Sequence, residues 1–266
     1  MPVSESTTLF IVGDRFADFA EQAPARSVSR FVADLRAGVF RDETKERRLV
    51  LAEGQGLTSY DWDLIRDELE FQGLSERTVI HRSTRGPLGG HTDTHKRREE
   101  NVLIAGLTRL TETLFQASLR LHNDQEFQLD HQAGHVQGMV VLEAARQMYL
   151  AVCERHFAPN DAGHRYAYVF DTLEAGFRNF LFPLETLIEA EVLHTDRSDP
   201  EMLVFDIQIS FRQAGLQAAL IRMKGTAFHR ALMAKRESRG AQRALRHALR
   251  QLPAELAEPD RLAWGE

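Results

Sequence analysis

The segment 130–157, DHQAGHVQGMVVLEAARQMYLAVCERHF, constrains the fold more than any other part of the chain. After Gly138, the residues Met139, Val140, Val141, Leu142, Ala144, Ala145, Met148, Leu150, Ala151 and Val152 are apolar on nearly every side of a helix. A helix of that kind is buried, so the rest of the chain has to wrap it. Three polar side chains interrupt it, Glu143, Arg146 and Gln147. Their i, i+3, i+4 spacing puts them on one face. Buried charge is costly unless paired. Glu143 and Arg146 are therefore either a structural ion pair or part of a site. The residues upstream favour a site. Gly138 admits a ligand close to the backbone. A helix start offers unpaired N–H groups and a positive dipole end to an anion or a developing oxyanion. His131 and His135 add imidazoles that titrate near neutral pH.

The wrapping material is legible as period-two runs. Leu107, Phe115, Ala117, Leu119 and Leu121 alternate before the helix, within a strand or hairpin over 103–122. After a turn at 160–164, Tyr166, Tyr168 and Phe170 alternate, and 187–194 is another strand. Residues 202–212 form the clearest strand, with Leu203, Phe205, Ile207, Ile209 and Phe211 on one side. Gly215 marks a hairpin turn, and Ala219, Ile221 and Met223 begin the return strand. Strand, buried helix, then antiparallel strands describe an α+β hotdog fold, a curved sheet round one helix. It is expected over 94–235.

Residues 1–85 read as a small α/β unit. Strands are expected at 8–12, 48–52 and 78–81, with helical spacing over 28–40. Thr58 and Asp61 fit a capping box opening a helix to about Phe71, whose apolar side is read as Tyr60, Leu64, Leu69 and Phe71. Gly73 stops that helix. Gly54-Gln55-Gly56 between strand and helix has the physics of a phosphate loop, but its spacing matches neither the P-loop nor the dinucleotide fingerprint, and a tight turn plus N-cap explains it better. Residues 82–93 read as a linker and 94–101 as a solvated charged segment. A basic helical tail over 236–266, preceded by Arg230 and Lys235, carries Arg236, Arg239, Arg243, Arg246 and Arg250. It is either a solvated amphipathic helix or a docking surface for an acidic partner.

Composition narrows the function classes. A chain of 266 residues with net charge −6 is long enough for a real core and too acidic for nucleic acid to be its main partner. Its one cysteine, Cys153, lies in the apolar helix and reads as packing. No apolar run is long enough for a membrane span, and the start, MPVSESTTLF, lacks a signal-peptide core, so a cytoplasmic protein is expected. The histidines lack HExxH spacing and there is no CxxC, so no metal and no cofactor is expected.

His95-Lys96 followed by Glu100 and Val102-Leu103, then Asp130-His131, then Gly138-Met139 leading to Glu143-Ala144-Ala145-Arg146-Gln147, resembles the A-factor biosynthesis hotdog family, which makes γ-butyrolactone signals in actinobacteria. The resemblance implies a hotdog that binds an acyl thioester and joins a β-ketoacyl group, carried on acyl carrier protein or coenzyme A, to a hydroxyl of a phosphorylated acceptor such as dihydroxyacetone phosphate. It implies catalytic roles for Glu143, His135 and Arg146. Substrate contacts are implied for His95, Lys96, Asp130, His131, Gly138, Met139 and Gln147. Thioesterase or dehydratase chemistry on the same scaffold, and a non-catalytic acyl-binding or carrier-binding module, are the alternatives. Family members of the butyrolactone type carry two such repeats, and this chain carries one, so a homodimer with sites at the interface is expected.

Overall fold

A computed structural model describes residues 6–22, 24–41, 48–83, 86–122, 134–159 and 166–251. The first sheet contains β1 (Ser6–Val12), β2 (Ala25–Ser27), β3 (Arg48–Glu53) and β4 (Thr78–His81). They run parallel in the order β2-β1-β3-β4. Short α1 (Ala17–Ala20), then α2 (Val28–Arg36) and α3 (Ser59–Phe71), connect them. The capping box at α3 is present in both directions, Thr58 accepting from the Asp61 amide and Asp61 from the Thr58 amide. Gly73 follows α3 with φ of +68°. The buried face of α3 differs from expectation: Trp62, Ile65 and Leu69 are buried, whereas Tyr60 and Phe71 are exposed. Spacing of i, i+3, i+7 selects those three, and the bulkier-looking ends of the pattern fall on the solvent side.

The second sheet is antiparallel. It contains β5 (Ile104–Arg109), β6 (Leu114–Leu119), β7 (Tyr166–Phe177), β8 (Leu187–Asp199), β9 (Met202–Gln213) and β10 (Leu216–His229), in the order β5-β6-β8-β9-β10-β7. The single-turn α4 (His91–Thr94) precedes it, α5 (Gly138–His156) crosses it between β6 and β7, and α6 (Arg230–Arg250) follows it. Leu203, Phe205, Ile207, Ile209 and Phe211 all face the core. The β9–β10 turn uses Ala214 at φ +49° and Gly215 at φ +79°, the two positive values that a two-residue hairpin with right-handed twist needs. Helix α5 packs against all six strands. Val140, Val141, Ala144, Ala145, Met148, Tyr149, Val152 and Cys153 are buried under it. This is the hotdog arrangement expected from the sequence. The turn expected at 160–164 lies outside the described residues.

The two sheets share material. Val12, Phe16 and Ala20 of the first unit belong to the hotdog core. Gln55, fully buried, donates through Nε2 to the Leu119 and Leu184 carbonyls at 3.0 and 3.1 Å and accepts from the Leu121 amide at 3.0 Å. Its own amide reaches the Pro183 carbonyl at 2.9 Å, and the Gly56 amide reaches the Leu121 carbonyl at 2.9 Å. A Cβ on Gly54 would lie 2.6 Å from Val12 Cγ1 and 2.9 Å from the Pro183 oxygen, so only glycine fits. The Gly54-Gln55-Gly56 loop is thus a junction between the sheets. Gln55→Ala is expected to destabilise the chain by about 2–4 kcal/mol, since it orphans buried main-chain groups as well as losing bonds. Urea unfolding followed by tryptophan fluorescence and by far-UV circular dichroism checks this. Trp62 lies in the first unit, so fluorescence should lead circular dichroism in the variant if the junction couples the two sheets.

Candidate active site

The segment expected to be solvated, 94–101, instead closes the polar face of α5. Its course is set locally. Thr94 is buried and its hydroxyl donates to the Gly90 carbonyl at 3.0 Å. His95 caps α4 in the left-handed conformation, φ +57°, which reverses the chain. That backbone conformation is unfavourable for a side-chain-bearing residue and persists only where surroundings hold it. Here the holding contacts fall along one helix face. Asp93 pairs with Arg155 at 2.7 Å, His95 Nε2 meets Glu154 Oε1 at 3.0 Å, and Lys96 Nζ meets Glu143 Oε1 at 2.7 Å. Gln147 Nε2 donates to the Asn101 carbonyl at 2.8 Å, and its Oε1 accepts from the Leu103 amide at 2.8 Å. Residues adjacent in sequence, His95 and Lys96, therefore grip the carboxylates of residues whose α-carbons lie about 16 Å apart along the helix axis.

Glu143 is the centre of this face. Its side chain is 10% exposed. Arg146 binds it through two parallel bonds, Nε to Oε2 at 2.7 Å and Nη2 to Oε1 at 2.8 Å, and Gln147 Nε2 adds a third donor at 3.1 Å. Burial pushes the Glu143 carboxyl up, but Arg146, Lys96 and Gln147 together outweigh it and hold the group below its ordinary value. Glu143 is therefore ionised at neutral pH, and the trio Lys96–Glu143–Arg146 carries one excess positive charge.

The other expected residues fall elsewhere. Gly138 begins α5 and rests against Phe177 of β7, whose ring lies 3.3 Å from where a Cβ would be. Met139 is exposed. The amides of Gly138 and Met139 have no acceptor among the described residues. His135 does not bond to Glu143. Its ring packs on Phe180 at 4.6 Å, where the neighbouring Val136 amide reaches the Leu181 carbonyl. Asp130 and His131 lie outside the described residues. Cys153 is fully buried and burial raises its thiol well above the usual range, so it is packing and not a nucleophile. Sequence reasoning missed Glu154. The signal was available, because residue 154 follows Gln147 by seven and Glu143 by eleven, on the same face. Near it, Tyr168 meets the His95 ring edge-on at 5.7 Å, and its hydroxyl is buried with no partner among the described residues. Among the described residues no group of three or more His, Cys, Asp or Glu is placed to hold a metal ion.

Residues 92–229, more than half of the chain, match the A-factor biosynthesis hotdog domain. The chain belongs to this family. The A-factor domain takes in the closing segment, α5 and all six antiparallel strands and ends where α6 begins, leaving the parallel sheet outside it. No curated protein sequence matches the chain. Among solved structures it is similar to a mutant thioesterase from Pseudomonas aeruginosa at 16% identity, covering 47% of this chain and 81% of that one with a TM-score of 0.36. A protein from Helicobacter felis matches at 15% identity, covering 55% of this chain and 93% of that one with a TM-score of 0.37. A hypothetical thioesterase from Streptococcus pneumoniae, solved with coenzyme A, matches at 12% identity, covering 47% and 85% with a TM-score of 0.32. No helix among the described residues is long and apolar enough to cross a membrane.

Glu143→Gln is expected to cost about 1–3 kcal/mol at neutral pH by leaving Lys96 and Arg146 without their anion. Because the folded pKa lies below the ordinary 4.5, this contribution is present above pH 4.5 and disappears as pH falls through the lower, folded value. Urea unfolding of both proteins should show a gap at pH 7 that closes in acid.

Proposed function

We propose that this A-factor-family protein is a cytoplasmic acyltransferase. It moves a β-ketoacyl or related acyl group from acyl carrier protein or coenzyme A to a hydroxyl of a phosphorylated acceptor such as dihydroxyacetone phosphate. The product is a γ-butyrolactone-type signal or a related secondary metabolite. The observation that carries this reading is the buried, ionised Glu143 clamped by Lys96 and Arg146 on a helix that opens with two free amides.

In this reading the thioester carbonyl points at the Gly138 and Met139 amides, about 7.5 Å along the axis from Glu143. The excess positive charge of the trio holds the acceptor phosphate, to which a guanidinium is well matched. The acceptor oxygen attacks the carbonyl carbon and forms the C–O bond while its proton passes to Glu143. The oxyanion is held by the two amides. The C–S bond then breaks, and the leaving thiolate takes the proton back from Glu143. His135 lies against Phe180 and makes no hydrogen bond to Glu143, so in this reading Glu143 takes the proton directly.

The reading also includes a homodimer. The outer edge of β7 is unpaired among the described residues, and beside it Leu173, Phe177, Phe180 and Met139 are exposed. An uncovered strand edge flanked by apolar side chains is a pairing surface, and a second copy would close the site at the start of α5. Leu173→Lys with Phe177→Glu should turn a dimer into a monomer in sedimentation equilibrium, with loss of activity. A wild-type chain that sediments as a monomer removes this part of the reading.

The deciding experiment is intact mass spectrometry of β-ketoacyl carrier protein or β-ketoacyl-CoA with the purified chain, with and without dihydroxyacetone phosphate. Acyl loss only with the acceptor, together with a phosphorylated ester, is the expected result. Loss without acceptor means a thioesterase, and no loss in either arm leaves an acyl-binding module. Glu143→Ala should abolish turnover; activity retained within about tenfold removes Glu143 from the chemistry.

A further inference from the structure

Helix α6 leaves the sheet after His229 and has no buried residue along its length. It carries seven basic side chains against one acid, Glu237, in a chain whose net charge is −6, so the remainder of the molecule is strongly acidic. Five of the cations are ordered more tightly than amphipathicity requires. Arg236, Arg239, Arg243, Arg246 and Arg250 recur at steps of three and four, which at about 100° per residue confines them to an arc of roughly 80° along about 21 Å of helix. Ala234, Ala241, Leu245 and Ala248 occupy the opposite side. Arg236 stacks over the Phe228 ring at 4.4 Å, and none of the five meets a carboxylate among the described residues.

Such a stripe is unfavourable for the helix alone. Like charges at i, i+3 and i+4 destabilise a helix by about 0.2–0.5 kcal/mol per pair, and this stripe repeats that pairing along its whole length. An anionic surface opposite the stripe removes the penalty. A lipid surface fits poorly, because interfacial binding scales with the apolar area a helix buries, and the side opposite these arginines offers only three alanines and one leucine. A long polyanion such as duplex DNA would extend past the stripe and meet the acidic body. A small protein with carboxylates along one helix fits both the length and the sign.

We propose that the arginine face of α6 docks the acidic carrier protein that delivers the acyl thioester. This inference rests on the thioester reading above and names where the carrier binds. The test compares the wild-type chain with the triple variant Arg239→Glu, Arg243→Glu, Arg246→Glu, all three sites being exposed. Two donors are used, each with dihydroxyacetone phosphate as acceptor, β-ketooctanoyl acyl carrier protein and β-ketooctanoyl-CoA, and binding of carrier protein without an acyl group is titrated separately at low and high salt. The expected result is a KM for the carrier substrate raised about tenfold or more, kcat unchanged, and unchanged kinetics with β-ketooctanoyl-CoA. Carrier binding should weaken with salt in the wild type and be lost in the variant, while Arg→Lys at the same three positions preserves it. An unchanged KM and unchanged carrier binding in the charge-reversed chain overturn the proposal, as does wild-type α6 binding duplex DNA or anionic vesicles more tightly than the carrier. If the wild type turns over neither thioester, the proposed activity fails, and the acyl-free titration alone decides the docking surface.

Discussion

A buried helix with charges on one face cannot stand in an apolar core unless something closes that face. In this chain residues 91–103 do so, and the ion pair of Lys96 with Glu143 is the contact on which the closure turns. Without a cation there, Glu143 would be a desolvated carboxylate held by Arg146 and Gln147. With it, the acid stays ionised and Gln147 is held between the Asn101 carbonyl and the Leu103 amide, which sets where β5 begins. The start of the sheet, the position of α5 and the charge of the site thus share one interaction. Such an arrangement is expensive to assemble and breaks badly when one partner is removed, as buried ion pairs generally do.

Much of the architecture was legible in the sequence because it rests on local periodicity. The alternation in 202–212 marks a strand buried on one face, and the apolar run after Gly138 marks a wrapped helix. The spacing of Glu143, Arg146 and Gln147 places them together without knowledge of the partners. What was not legible came from contacts between distant segments. A run such as THKRREEN has the composition of a solvated loop, and Arg97, Arg98 and Glu99 are indeed exposed; the left-handed turn at His95 is what brings His95 and Lys96 to the carboxylates of α5. The same limit explains α3, where Trp62 faces the core while Tyr60, equally aromatic, does not: the neighbouring strand decides, and a single helical pattern of mixed residues fits two faces about equally well.

The histidines illustrate the limit from the other side. His135 and His95 looked alike as candidates, one just before the glycine-led helix and the other in a charged run. Their surroundings separate them: His135 has an aromatic neighbour, whereas His95 has a carboxylate on α5 and Tyr168, whose hydroxyl has no partner among the described residues. Proximity in sequence to a conspicuous helix was the weaker guide, and helical phase, which singles out Glu154, the stronger one.

The order of the parallel sheet bears on how its two halves change over time. β1 has β2 on one side and β3 on the other, so the chain switches direction there, and in open α/β sheets the crevice at such strand ends is where small molecules are held. Here the crevice is filled by the hotdog itself. Hydrogen bonds from Gln55 and Gly56 into the hotdog run to carbonyls and amides at 119–121 and 183–184. The parallel unit holds a course of backbone as other such sheets hold a cofactor. The junction therefore depends on the path of the main chain and not on which side chain stands there, while Leu119 and Leu121 stay bound in size by the core they fill.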